Sequence, residues 1–282
     1  MKRGLVLEGG AMRGLFTAGI IDVLMENKIT FDGMIGVSAG AAFGCNFKSG
    51  QIGRAKRYNI NFCRDKRYCS MRSLLTTGNM YGAEFCYHEL PEKLDLFDKE
   101  AFENNPMEFF LVCTDVISGN AVYHKMDKVT YDELEWMRAS ASMPLVSKIV
   151  EVDGMKMLDG GVTDSVPLRY FQSIGYNRNV VVLTQHRAYR KRKNSMLPII
   201  RVVLRKYPKL VSAMERRHEV YNKTLDYIFE QEKAGNVFVL APDKALPIKR
   251  TEHKKEVLEQ VYNVGKEKIT EKLGDLKYFL NM

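Results

Sequence analysis

Within its first fifty residues the chain makes one kind of corner twice: a short apolar run, a knot of glycines, then the start of a helical pattern. The first corner is Gly9-Gly10-Ala11-Met12-Arg13-Gly14. It lies between the apolar run 4–7 and a stretch, 15–25, that places Leu15, Ile20, Val23 and Leu24 at apolar positions. The second is Gly36-Val37-Ser38-Ala39-Gly40, between the buried-strand pattern 32–37 and the small-residue start of a helix at 39–44. Glycine lacks a Cβ, so it serves where a backbone turns sharply or another backbone comes close. Two successive strand–corner–helix units commit this end of the chain to α/β architecture.

Further strand candidates are 109–114, 121–124, a hairpin made of 148–152 and 155–158 around Asp153-Gly154, 179–183 and 236–240. Helical patterns separate several of them. The expected fold is a three-layer α/β sandwich with a mostly parallel central sheet over residues 1–185. A largely helical extension with one strand, 186–282, packs on that core. At 282 residues and 45% hydrophobic, the chain can bury a large core. In such sheets ligands bind outside the carboxyl ends of strands. Gly9, Ser38 and Asp159 all fall at strand ends, in three separate segments.

Ser38 sits in the Gly-x-Ser-x-Gly pattern. A serine hydroxyl is a weak nucleophile at neutral pH and needs a fixed, exposed position and a base. The strand-to-helix turn supplies the position, with Gly36 and Gly40 leaving the room it needs. The first corner presents free N–H groups at a helix start, an anion site. A dinucleotide fingerprint wants glycine at the first, third and sixth places; here the third is Ala11. An oxyanion hole needs only N–H groups, which Gly9, Gly10 and Ala11 all carry. Arg13 adds positive charge beside them, unless it is a plain surface or ion-paired arginine.

The base has two sources. Of five histidines only His186 follows a convincing strand, and a lone histidine there is more often structural. Asp159, followed by Gly160 and Gly161 at the end of the hairpin, is placed to reach a neighbouring turn, although Asp-Gly is also ordinary turn chemistry. The nucleophile follows only the second strand, which weighs against the common α/β-hydrolase order.

These three motifs, in this order, resemble the patatin-like phospholipases, most closely the bacterial stand-alone type. Supporting stretches are Arg138-Ala139-Ser140-Ala141-Ser142-Met143-Pro144 and Val166-Pro167. The resemblance covers roughly the first two-thirds of the chain. It implies a Ser38–Asp159 dyad without histidine, with the oxyanion hole at Gly9, Gly10 and Ala11. Two departures stand out. Ala11 replaces the third glycine, and Glu8 stands where glycine or aspartate is common. Alanine tolerates positive φ poorly, so a displaced loop path is expected. Asp159 is expected to be desolvated and thereby made more basic.

The formal net charge is +9. Residues 187–209 contain nine Lys and Arg and no acid. Arg201, Arg205 and Lys209 recur every four residues, a stripe on a helix unless Pro208 ends that helix first. A solvated basic face is the plain reading; contact with an anionic membrane surface suits a lipid hydrolase; nucleic acid has no other support. The five cysteines are odd in number and irregularly spaced, which suits reduced thiols. No metal or cofactor is expected, and no run reaches the ~20 apolar residues of a membrane span. The N-terminus lacks a signal-peptide core, so the expected compartment is the cytosol.

The expected function is hydrolysis of a fatty-acyl ester of phospholipid or lysophospholipid through an acyl-enzyme. Alternatives are a carboxylesterase for small soluble esters, and a non-catalytic lipid- or nucleotide-binding protein. Residues 63–87, rich in Tyr, Met, Arg and Ser, read as a flap over the site or a surface loop.

Overall fold

The computed structural model describes residues 1–282. β1 (Lys2–Leu7) runs through the first glycine corner into α1 (Gly14–Glu26), and β2 (Gly33–Val37) through the second into α2 (Ala39–Lys48). Helical segments follow: α3 (Arg54–Phe62), α4 (Met71–Thr77), a wide-turned helix over Phe85–Leu94, and α5 (Lys99–Asn104). Next come β3 (Glu108–Asp115), β4 (Ala121–Lys125), α6 (Tyr131–Ser140), β5 (Val150–Val152), β6 (Met155–Asp159), α7 (Leu168–Ser173) and β7 (Tyr176–Val182). The chain closes with α8 (Leu197–Val203), α9 (Pro208–Lys233), β8 (Val237–Leu240) and α10 (Lys255–Leu280).

All eight strands form one sheet, in the order β5-β6-β3-β2-β1-β7-β8, with β4 beside β3. The run β3-β2-β1-β7-β8 is parallel, while β4, β6 and β5 are antiparallel. Side chains alternate strictly between the two faces. Leu5, Leu7, Met34, Phe109, Leu111, Val180 and Val182 face a layer containing α1, α2, α6 and α10. Val6, Ile35, Val37, Phe110, Val112 and Val181 face α7 and α9. Fully burying each such side chain is worth about 1.5–3 kcal/mol, and a one-residue slip would exchange the faces. The sheet covered on both sides is the three-layer sandwich that the pattern of elements predicts.

The C-terminal segment is built into this frame. β8 pairs with β7, and α10 crosses α1 so closely that a Cβ on Gly19 or Gly265 would lie 2.1 Å from the other helix's backbone. The surface-loop reading of residues 63–87 gives way: they hold α4, the start of the wide-turned helix and a bridge between Cys69 and Tyr81. The first helix of the basic segment does end ahead of Pro208, which opens α9 at a position where its missing N–H costs nothing.

Candidate active site

Ser38 joins β2 to α2 at φ 55°, ψ −122°, a conformation non-glycine residues rarely adopt. Strain of this kind is worth about 1–3 kcal/mol and persists only where the surroundings enforce it. They do so here. A Cβ on Gly36 would lie 2.5 Å from Ala41 N, and one on Gly40 2.5 Å from Leu7 O. Ser140 braces the turn: its hydroxyl accepts from Ser38 N (3.0 Å) and donates to Val112 O (2.7 Å).

Asp159 reaches Ser38 by an unexpected route. Its strand is antiparallel to β3, so its carboxyl end points back into the sheet. Cys113 pairs with Val122 on one edge of β3 and with Asp159 on the other. Val112 pairs with Tyr123 on the first edge and with Val37 on the second. β2 and β6 therefore lie on the same edge of β3 and meet end to end. The residue after Val37 is Ser38; the last residue of β6 is Asp159. Gly160 is obligatory at this junction, since a Cβ there would lie 2.2 Å from Val112 O.

Ser38 and Asp159 are 8% and 5% exposed. Burial pushes the Asp159 carboxyl above its ordinary range. Arg217, the Ser38 hydroxyl, the Gly161 N–H and Arg250 oppose that rise. Gly161 N donates to Asp159 Oδ1 at 2.7 Å and so fixes one carboxylate oxygen. Ser38 Oγ is close enough to favour the carboxylate's charge without forming a hydrogen bond of ordinary length and angle. Such contacts tighten when substrate binds.

The first corner packs directly on this pair. A Cβ on Gly9 would meet Ser38 Cβ at 3.0 Å. The N–H groups of Gly9, Gly10 and Ala11 donate to no acceptor in the protein. Ala11 takes φ 48°, so it accepts the left-handed strain rather than rerouting the loop. Glu8 explains how that strain is held. Its buried carboxylate accepts from Thr184 N (2.6 Å), Thr184 Oγ1 (3.2 Å) and Tyr221 OH (2.6 Å), tying the corner to the end of β7 and to α9. Arg13 forms no ion pair, and its buried Nε has no partner.

Ser38 also lines an apolar cavity of about 130 Å³. Its walls include Ala11, Met12, Phe43, Tyr58, Tyr68, Tyr81, Tyr87, Leu90, Met137 and Met143. A largely apolar lining of this kind favours hydrocarbon over water. Tyr68, Tyr81, Cys86 and Tyr87 of this wall come from the segment 63–87, read as a flap or loop.

A family model described as "Patatin-like phospholipase" matches residues 5–171, which hold Ser38, Asp159 and the glycine corner. The chain belongs to the patatin-like phospholipase family. A second model, a domain of unknown function (DUF6363), matches residues 207–281. Among relatives of this patatin-like chain, the "Uncharacterized protein YjjU" of Escherichia coli (strain K12) is 29% identical over 190 residues, 64% of this chain and 51% of that one. The "Lysophospholipase nte1" of Emericella nidulans is 28% identical over 185 residues, 61% of this chain and 11% of that one. The chain thus spans about half or less of the length of these relatives. The crystal structure of VipD from Legionella pneumophila superposes with a TM-score of 0.49 at 13% identity, covering 97% of this chain and 67% of that one.

The residues singled out in the sequence fall into two groups. Ser38, Asp159, Gly9, Gly10, Ala11, Gly36, Gly40, Gly160 and Gly161 converge at the junction of β1, β2 and β6. His186 does not join them: its ring packs edge-on against Tyr189, and it bonds to neither Ser38 nor Asp159. The basic run is less free than its composition suggests. Arg187, Arg190 and Arg201 pair with Glu232, Asp226 and Glu215 of α9. The stripe of Arg201, Arg205 and Lys209 does not exist, because α8 ends at Val203 and α9 begins at Pro208. The sequence reading missed Ser140 as the brace, and Lys191, Arg217 and Arg250 as neighbours of the site. Only Ser140 had a signal, the small-residue stretch around it.

Proposed function

We propose that this chain hydrolyses fatty-acyl esters of phospholipid or lysophospholipid through a Ser38–Asp159 dyad. The observation that carries the reading is the end-to-end meeting of β2 and β6, which sets a strained serine beside a buried aspartate at the wall of an apolar cavity. Ser38 Oγ attacks the ester carbonyl as Asp159 takes its proton. The carbonyl oxygen, now negative, receives the free N–H groups of Gly9, Gly10 and Ala11. Collapse of the tetrahedral adduct expels the alcohol, which takes the proton back from Asp159. Water, deprotonated by the same carboxylate, then releases the fatty acid and restores Ser38. The apolar cavity takes the acyl chain. A lysophospholipase among the relatives agrees with this substrate class.

Peripheral contact with an anionic membrane surface belongs to the same reading. α8 turns Ile199, Val202 and Val203 outward beside the unpaired Arg205 and Lys206. No helix of the chain is long and apolar enough to cross a membrane.

Labelling with a fluorophosphonate ester probe tests the dyad. Wild type and His186→Ala are expected to label, and Ser38→Ala and Asp159→Asn are not. Labelling that survives in Asp159→Asn and disappears in His186→Ala would reject the dyad. Turnover that shows no rise when substrate forms micelles would move the substrate to small soluble esters.

A further inference from the structure

Four cations surround the junction of Glu8 and Asp159, and none has an ion-pair partner within 4.0 Å, although twenty-two such contacts form elsewhere. Arg13 is half-buried, and its enclosed Nε has no hydrogen-bond partner. Arg217, from α9, is half-buried and donates through Nε to Gly161 O, two residues from Asp159. Lys191 lies over the ring of Tyr221, 4.1 Å from its centroid, and that tyrosine's hydroxyl binds Glu8. Arg250, exposed on the segment between β8 and α10, acts on Asp159, Arg13, Lys191 and Arg217. Its carbonyl accepts from Tyr81 OH at 2.7 Å, which joins this segment to a wall of the apolar cavity. None of the four lines that cavity.

The charges do not balance. Two carboxylates, Glu8 and Asp159, face four cations. Burial, then Arg217, Arg13 and Arg250, push the Lys191 ammonium down to about 7, against the pull of Glu8. Cations partly withdrawn from water with too little negative charge beside them are costly, and a further anion offsets that cost. An ester carbonyl offers no net charge. Phosphate offers one to two negative charges and oxygens that suit guanidinium forks.

We infer that Arg13, Lys191, Arg217 and Arg250 form a binding site for a phosphate group beside the Ser38–Asp159 centre. Where that phosphate belongs to the ester substrate, the assignment rests on the acyl-hydrolase reading above: tail in the apolar cavity, phosphate among the cations. Lys191, Arg217 and Arg250 lie outside residues 5–171, and Arg217 and Arg250 fall within the C-terminal domain of unknown function. That domain then supplies substrate recognition to the patatin-like core.

The test uses equilibrium binding on Ser38→Ala protein, so it needs no turnover and stands apart from the dyad. A lysophospholipid and a monoacylglycerol of the same acyl chain are offered in the same neutral detergent micelle, and inorganic phosphate is titrated separately. The expected result is at least a tenfold preference for the lysophospholipid. The Lys191→Gln/Arg250→Gln pair brings it below about twofold. The Lys128→Gln/Lys233→Gln pair, which removes equal charge from remote surface, leaves it unchanged. Melting curves confirm that each variant is folded. If both lipids bind alike but inorganic phosphate binds wild-type cations and not the Lys191/Arg250 pair, the site stands and its ligand is a free phosphate. Equal binding of both lipids with no phosphate binding overturns the site. So does a lysophospholipid preference that the Lys191/Arg250 pair retains.

Discussion

At the scale of single residues, Asp159 is held against its own preference. Its carboxyl is raised mainly by burial, so the fold carries a cost whenever the group is ionised. The native state binds a proton more tightly than the unfolded chain, where the value is about 3.9. Stability from this group is therefore highest at low pH, falls as pH rises from the unfolded value through the folded one, and stays reduced above it. Asp159→Asn keeps an acceptor for Gly161 N and removes the charge. It is expected to raise the melting temperature at pH 7–8, with the gain fading as pH falls towards 4. Activity drops by roughly 10³–10⁴-fold, as for loss of one member of a catalytic unit. In wild type the acid limb of kcat/KM lies above the ordinary carboxylate range. A melting temperature lower than wild type at pH 8 would show that the charge is compensated. The tight corners that carry Ser38 and Asp159 were legible because glycines mark backbone crowding in the sequence itself. The role of Glu8 beside Ala11 was not, because its carboxylate binds groups more than 170 residues away.

At the scale of elements, three pieces are tied by one side chain. Glu8 at the end of β1 holds Thr184 at the end of β7 and Tyr221 of α9, and it is the carboxylate nearest Arg13 and Lys191 in effect. Hydrogen bonds to a charged group are worth about 1.5–3 kcal/mol each, and Glu8 accepts from Thr184 N, Thr184 Oγ1 and Tyr221 OH. Tyr221→Phe is expected to lower unfolding free energy by about 1–2 kcal/mol and Glu8→Ala by more, at about 3–5 kcal/mol. The double variant should lose less than the sum, with a coupling above about 1 kcal/mol. Urea denaturation of the four proteins reads all three numbers; strictly additive losses would show that the network does not act as a unit. The strands were legible from their apolar runs and the turn at Asp153-Gly154. The direction of β6 had consequences that were not, since end-to-end packing on one edge of β3 is a fact of the sheet and leaves no local pattern. α9 gave no sign of its role either, because Arg217 lies in a sequence that reads as an ordinary polar helix face.

Across the whole molecule, the distribution of charge bears on the proposed contact with a lipid surface. The nine basic residues in 187–209 read as one block, but the fold divides eight of them among three uses. Arg187, Arg190 and Arg201 fasten the segment to α9. Lys191 turns inward to Tyr221. Arg192, Lys193, Arg205 and Lys206 remain exposed and unpaired around α8, whose Ile199, Val202 and Val203 are 50%, 68% and 59% exposed while Leu197 and Ile200 anchor it beneath. Such a surface suits anionic lipid, where each cation near the membrane is worth about 1 kcal/mol. Changing these four cations to Gln is therefore expected to weaken binding to phosphatidylglycerol vesicles by on the order of 10³-fold at low salt. Ile199→Ser/Val202→Ser/Val203→Ser weakens it as well, and in a salt-independent manner, because the lost interaction is apolar. The Arg187, Arg190 and Arg201 variants are expected to lose stability rather than vesicle binding, since their charge is already neutralised by α9. Vesicle sedimentation at two ionic strengths separates these outcomes. If the three paired arginines mattered as much as the four free cations, only net charge would attract the protein to the membrane. A selective loss on the exposed set instead fixes α8 as the face that meets the bilayer.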